Sequence, residues 1–171
     1  RDFSLQYVAR NASLDTPLFY TIIALWGALE GSILLWIWLL ALMSLLTVMI
    51  ERKRQRELIP YVTAVLLCIS AFFLLLATFP ASPFTTMLPA PPDGRGPNPL
   101  LQNHPLMAIH PPGLYAGYVG WSIPYAFGIA ALITGRLGEG WIRTVRRWSI
   151  VSWAFLTVGI IIGGRWSYEV L

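Results

Sequence analysis

Charged residues, cysteine and histidine are all scarce in this chain. Only 12% of its 171 residues are charged and 56% are hydrophobic, whereas a soluble globular domain carries about 25% charged residues. The mean hydropathy is +0.63. So much apolar surface favours membrane lipid as the solvent. Because the basic residues collect in short turns between apolar runs, they indicate membrane orientation and not nucleic-acid binding.

The single cysteine, Cys68, excludes an internal disulfide, a CxxC redox pair and a thiolate zinc site within this chain. We expect Cys68 to be a small buried apolar residue. The sequence also contains no nucleophile–base pair, no phosphate-binding glycine loop and no carboxylate dyad. Two histidines, His104 and His110, are therefore the residues with clear metal-ligand chemistry.

Four apolar segments approach the roughly 20 residues that a helix needs to cross a bilayer. They predict an all-α, polytopic membrane protein with one membrane domain over residues 1–171, a piece of a larger protein. The predicted helices are about 17–50, 58–79, 112–134 and 148–164. A straight helix over 17–50 would be about 51 Å long, against a bilayer core of about 30 Å. We therefore expect a bend near Gly27 or Gly31, with the residues before it along the membrane surface.

The turns between these segments predict an orientation. Residues 51–57 and 136–147 each contain four basic residues, whereas residues 80–111 contain only Arg95. The positive-inside rule places both arginine-rich turns inside, and the long loop and both termini outside a bacterial plasma membrane. The mitochondrial inner membrane is the alternative. Ten of the 13 prolines lie between positions 80 and 112, which predicts a stiff, ordered outer loop.

His110 stands at the end of that loop, directly before Pro111 and Pro112. The prolines fix the backbone where it enters the membrane, so an imidazole here can ligate a metal or haem iron through a ring nitrogen. The alternative is an interfacial histidine that bonds a backbone carbonyl. His104 lies six residues earlier in a proline-bearing segment, which is poorly suited to bind the opposite face of one haem. Any second ligand is expected from elsewhere.

Three aromatic residues follow His110, namely Tyr115, Tyr118 and Trp121. They are candidates either for contact with haem or for an aromatic belt at the membrane interface. In the same segment, glycines at spacings of four and three share one helix face that a second helix or a flat ligand can approach closely. These glycines are Gly113, Gly117 and Gly120.

Two charged residues complete the candidate sites. Glu30 is an acid within an apolar run, so it is either a substrate contact or a hydrogen-bonded structural acid near the interface. Arg165 follows Gly163 and Gly164 at the end of the fourth segment. It either anchors the helix at the membrane surface or pairs with a carboxylate such as a haem propionate.

Six motifs in this order resemble the CcmF/CcsA family of haem-handling membrane proteins, and in particular its cytochrome c maturation haem lyases. The similarity covers essentially the whole chain. The motifs are DFSLQYVA at 2–9, WGALEGSILLW at 26–36, NPLLQ at 98–102, HPPGLYAGYVG at 110–120, SIPYAF at 122–127 and GRWSYE at 164–169.

The resemblance implies a haem lyase that receives haem from a haem chaperone at the outer membrane face. The complete enzyme joins the haem vinyl groups to the CxxCH cysteines of apocytochrome c, together with other maturation subunits. The resemblance makes His110 an axial haem ligand and implies no such role for His104. The family's tryptophan-rich segment and its further histidines do not occur in this chain, and Leu29 stands where the family often has histidine.

We therefore expect the complete protein, and not this chain alone, to be the enzyme, with its catalytic residues still open. Two alternatives remain. The first is a non-catalytic scaffold subunit, and the second is a transporter core in which Glu30 couples transport.

Overall fold

The computed structural model describes residues 1–99, 104–136 and 138–170, and this part of the chain is helical without β-strands. Its α-helices are α1 (Gln6–Asn11), α2 (Leu18–Ile23), α3 (Leu29–Glu51), α4 (Ile59–Thr78), α5 (Pro105–Gly120), α6 (Ser122–Thr134) and α7 (Ile142–Val170). Four segments of the described chain are long and apolar enough to cross a membrane: α3, α4, α5 with α6, and α7. The predicted all-α, four-span fold class is confirmed. The motif residues Leu100, Leu101 and Gln102 lie outside the described residues.

The first apolar segment is not one continuous helix over 17–50. Helix α2 runs into a 3-10 turn at Ala24–Trp26, and α3 begins at Leu29 after Ala28 adopts an extended backbone. The break falls at Gly27, where a bend was expected. The second candidate, Gly31, lies inside α3 and is buried against the carbonyl of Leu25. A long apolar run thus divides into a short helix and a membrane-length one.

Helix α5 begins at Pro105, seven residues before the predicted start at 112. The imidazole of His104 accepts a hydrogen bond from the Leu106 N–H at 3.3 Å, and Pro105 fits the first helical position because no N–H is needed there. Pro111 and Pro112 consequently lie inside α5. The predicted loop over 80–111 therefore ends earlier than expected.

A second break separates α5 from α6 at Trp121. Pro124 has no N–H to donate to the carbonyl four residues earlier, which accounts for an interruption at this point. Helix α7 exceeds the predicted 148–164 at both ends. Its final turns are polar, and Arg165 and Glu169 form an i,i+4 ion pair there. Helical structure thus extends beyond the apolar run that predicted it.

The core lies between α3, α4 and the α5–α6 span. Leu40, Val62, Leu66, Ile123 and Phe127 are almost wholly buried in it. Helices α4 and α7 leave most of their apolar side chains exposed, as expected of surfaces that face lipid or further helices. Cys68 lies on the exposed side of α4, so the expectation that it would be buried was wrong.

The N-terminal segment and the proline-rich loop cover one end of the helices, which we call the loop face (residues 1–28 and 79–99 and the adjoining ends of α5 and α7). The Gln6 N–H donates to the Thr85 carbonyl, and the Met87 N–H donates to the Ser4 carbonyl, both at 2.8 Å. Arg95 N–H similarly donates to the Ala9 carbonyl. These bonds give the described part of the loop the order that its sequence predicts.

The opposite end, which we call the arginine face, consists of the turns at 52–58, 135–136 and 138–141 and the first turns of α7, which carry Arg143, Arg146 and Arg147. Glu51 is buried here and accepts a hydrogen bond from the Thr144 hydroxyl at 3.1 Å. The Gln55 side chain donates to the Gly140 carbonyl at 2.9 Å. The ends of α3 and α7 and both basic turns are therefore fixed to one another.

Candidate functional site

His110 lies where α5 packs against α7 at the loop face. Its Nδ1 is 2.8 Å from the carbonyl oxygen of Gly159, and its ring centroid is 5.9 Å from that of Trp166. Gly163 lies directly against the ring: a Cβ at this position would be 2.6 Å from Nδ1 and 3.0 Å from Nε2. A glycine is therefore needed at position 163 for the imidazole to occupy this place.

This geometry determines which ring nitrogen is free. A carbonyl oxygen can only accept, so the proton must be on Nδ1, and the neutral ring then carries its lone pair on Nε2. Within the described part of the chain, Nε2 has no hydrogen-bond partner. The two alternatives for His110 are thus compatible, because a histidine can bond a backbone carbonyl through Nδ1 and a metal through Nε2.

The glycine face of α5 is what brings α7 so close. A Cβ at Gly117 would lie 2.6 Å from the backbone nitrogen of Leu156, and Gly113 faces Gly159. The predicted close approach therefore occurs, and a helix occupies the face. The two glycine sets, one on each helix, place the Gly159 carbonyl within reach of the imidazole.

A shallow apolar groove of about 280 Å³ lies on the α5–α7 surface, and its lining includes Ile109 and Gly159, which adjoin His110, but not His110 itself. Its walls are side chains from both helices: Ile109, Pro112, Phe155, Val158 and Ile162. A flat, largely apolar molecule that reached the imidazole would find a hydrophobic surface next to it.

His104 is joined to the end of α7, away from the imidazole of His110. Its Nε2 donates to Glu169 at 3.0 Å while its Nδ1 caps α5, so both nitrogens are engaged. Glu169 also accepts from Arg165 at 2.7 Å. Arg165 is therefore an exposed residue held by Glu169. His104, Arg165 and Glu169 therefore connect the N-cap of α5 to the last turns of α7.

Tyr115 and Tyr118, which follow His110 in the sequence, contact α3 and not the imidazole. Trp36 of α3 stacks on Phe73 at 5.0 Å, and the rings of Tyr115 and Tyr118 lie 5.6 and 6.2 Å from it. These two candidates belong to an aromatic cluster on the α3 side of α5, whereas His110 faces α7. Trp121 is 41% exposed and has no ring contact in the described part of the chain. The structure does not bring these residues to His110.

Glu30 lies in the first turn of α3, where a carboxylate interacts favourably with the positive end of the helix dipole. It is half-buried and has no hydrogen bond or ion pair among the described residues. Burial, mainly, raises the pKa of Tyr7 to about 12, and the negative charge of the nearby Glu30 contributes to the rise. Tyr7 donates to the Ala24 and Leu25 carbonyls at 2.9 Å, which fixes α1 against the bend before α3.

Gly159 and Gly163 complete the His110 surroundings, and Glu169 binds His104 and Arg165; none of the three was singled out for this role from the sequence. The four-residue spacing of Gly159 and Gly163 is the small-residue pattern that marks close helix contacts, and it carried the missing signal. Glu169 had no such signal, because its partners are 65 and four residues away along the chain.

Fold and site together define a multi-pass membrane protein in which α5 and α7 pack around His110 at the loop face. The chain matches the cytochrome c assembly protein family over residues 26–171. It therefore belongs to the family of cytochrome c assembly proteins.

Among curated relatives, proteins named cytochrome c-type biogenesis protein CcmF are 46% identical in Pseudomonas fluorescens, 44% in Haemophilus influenzae and 41% in Escherichia coli. Each alignment covers 98% of this chain but only 25–26% of the relative. The chain thus spans about a quarter of the length of these relatives. No solved structure matches it significantly.

Proposed function

We propose that this chain supplies part of the haem site of a cytochrome c maturation haem lyase, with His110 as an axial ligand through Nε2. The observation that carries the proposal is the 2.8 Å contact between Nδ1 of His110 and the Gly159 carbonyl. That bond holds the proton on Nδ1 and orients the ring, which is how proteins prepare histidines for metal binding.

The surroundings of His110 suit haem as the substrate. The apolar groove near it can cover part of the macrocycle edge, and the lack of a side chain at Gly163 lets the imidazole pack against α7 in this position. The described residues hold no group of three or more histidine, cysteine or acidic side chains that could bind a metal ion. An iron at Nε2 would therefore be held by its porphyrin and this one ligand, with any second axial ligand supplied by the rest of the complete protein.

In the complete protein we propose that haem arrives from a haem chaperone and is joined to apocytochrome c. Each attachment adds a cysteine S–H of the CxxCH motif across a haem vinyl C=C, which forms a thioether and leaves no by-product. The part played by this chain is to bind and orient the haem. This chain corresponds to about a quarter of the relatives' length. The remaining three quarters and the other maturation subunits would supply the rest of the lyase.

We further propose that the loop face is outside a bacterial plasma membrane and the arginine face inside. The basis is the eight basic residues on the arginine face, against four on the loop face, of which only Arg95 lies on the long loop. This orientation brings both termini, the loop and His110 to the side where c-type cytochromes would receive haem.

The visible spectrum of the full-length protein, purified in detergent, tests His110. His110→Ala should remove or shift the haem bands because the iron loses a nitrogen ligand. His104→Ala should leave the bands in place while lowering stability by about 1 kcal/mol through loss of the helix cap. It is the matched control, since it removes the other imidazole of the same segment.

Identical spectra for His110→Ala and the unmodified protein would make His110 structural. The scaffold alternative, a membrane subunit of a larger assembly without its own haem ligand on α5, would then be the better account.

A further inference from the structure

A polar cavity of about 430 Å³ opens on the arginine face, between the start of α4 and the turn that joins α6 to α7. Its lining combines three arginines, two glutamates and one indole: Arg54, Arg56, Arg136, Glu57, Glu139 and Trp141. The bonds from Gln55 to Gly140 and Thr144 hold the two turns together around it. The cavity is therefore built by fixed elements on both sides.

The cavity has unused donors. Arg136 pairs with Glu57, but the side chains of Arg54 and Arg56 have no hydrogen bond or ion pair in the described part of the chain. The indole N–H of Trp141 is buried and also lacks an acceptor. Because Arg136 pairs with Glu57, two unpaired arginines, Arg54 and Arg56, and one glutamate, Glu139, remain in the lining. This excess of positive charge favours a ligand with negatively charged oxygen atoms.

An apolar groove of about 460 Å³ continues along the same seam between α4 and α6. It begins at Tyr61 and Ile133, one turn or less from Leu58 and Gly135 of the polar cavity. It ends near Phe72 of α4. The twelve residues of α4 from Tyr61 to Phe72 span about 16 Å along the helix, which is about half of the 30 Å hydrocarbon core and hence one leaflet.

We infer that this seam binds one anionic phospholipid, with the headgroup phosphate at Arg54 and Arg56 and an acyl chain in the groove. The two compartments have the order and the lengths of a lipid: charge at the membrane surface, then apolar wall through one leaflet. Basic pockets between helices at the membrane surface are a known means of holding acidic headgroups. A free phosphate would account for the cavity but not for the groove.

Native mass spectrometry of the full-length protein in detergent tests the site. The protein is offered phosphatidylglycerol and phosphatidylcholine with identical acyl chains, and inorganic phosphate in a separate arm. We expect preferential retention of phosphatidylglycerol that inorganic phosphate does not displace. Arg54→Gln with Arg56→Gln should lower the occupancy of one bound phosphatidylglycerol at least tenfold. Lys53→Gln with Arg147→Gln removes the same charge outside the cavity and should leave that lipid bound.

A second measurement locates the acyl chain whatever the stability of the arginine variants. Phosphatidylglycerol with a photoreactive group midway along one chain should label the α4 peptide between Tyr61 and Phe72. Absence of label there means that another helix or subunit fills the groove, and it overturns the proposal. Equal lipid loss in the two double variants, equal retention of both lipids, or displacement by inorganic phosphate would also overturn it.

Discussion

Gly163→Ala is expected to reduce haem binding by the full-length protein about tenfold and to change its stability by less than about 1 kcal/mol, because the helix preference of alanine offsets part of the lost hydrogen bond. The added Cβ would lie 2.6 Å from Nδ1 of His110, closer than any real contact, so the imidazole must leave the Gly159 carbonyl. The lost hydrogen bond and the displaced ring together cost about 1.4 kcal/mol, which corresponds to a factor of ten in affinity. Haem titration followed by visible absorbance, with a melting curve of each variant, measures both quantities.

Gly164→Ala is the matched control for this substitution. Gly164 is the next residue of α7, and a Cβ there would meet no atom within 4 Å. It should therefore leave haem binding intact. If both variants bind haem like the unmodified protein, the imidazole does not need the position that Gly163 gives it, and the proposed ligand geometry is wrong.

Gly117→Ala is expected to lower the free energy of unfolding by about 1–3 kcal/mol, because overpacking at a tight contact forces backbone movement. The Cβ would lie 2.6 Å from the backbone nitrogen of Leu156. Unlike the imidazole next to Gly163, that atom cannot rotate away. Helices α5 and α7 must separate instead. Thermal unfolding in detergent, followed by circular dichroism, should show the loss.

Gly128→Ala makes the same chemical change in α6, where a Cβ would meet nothing within 4 Å. Because alanine is favoured over glycine inside a helix by about 0.5–1 kcal/mol, this variant should be equally stable or more stable. A Gly117→Ala protein that melts together with Gly128→Ala would show that α5 and α7 are not packed as described.

The sequence predicted the helical class and number of spans well, because the apolar runs are long and the charges between them few. A simple length argument also predicted a bend near Gly27 or Gly31, and the break falls at the first of them. The start of α5 did not follow from the sequence pattern, since Pro111 and Pro112 suggested a boundary that the cap at His104 and Pro105 instead provides. Prolines mark a boundary only where no earlier residue can begin the helix.

The site was harder to predict than the fold. His110 stood out by its place before two prolines, but its surroundings depend on which face of α5 meets α7. Tyr115 and Tyr118 are near His110 in sequence and yet lie on Trp36 of α3. Gly159 is 49 residues away and bonds the imidazole. Helix-to-helix contacts of this kind depend on the three-dimensional packing of several spans, which local spacing only partly encodes.

The midpoint potential of the haem in the full-length His110→Met protein tests the central claim most directly. If Nε2 of His110 is the iron ligand, a thioether in its place should raise the potential, by an amount on the order of 100 mV, since axial ligands set haem potentials over a wide range. The same potential and the same visible spectrum as the unmodified protein would show that His110 does not bind the iron.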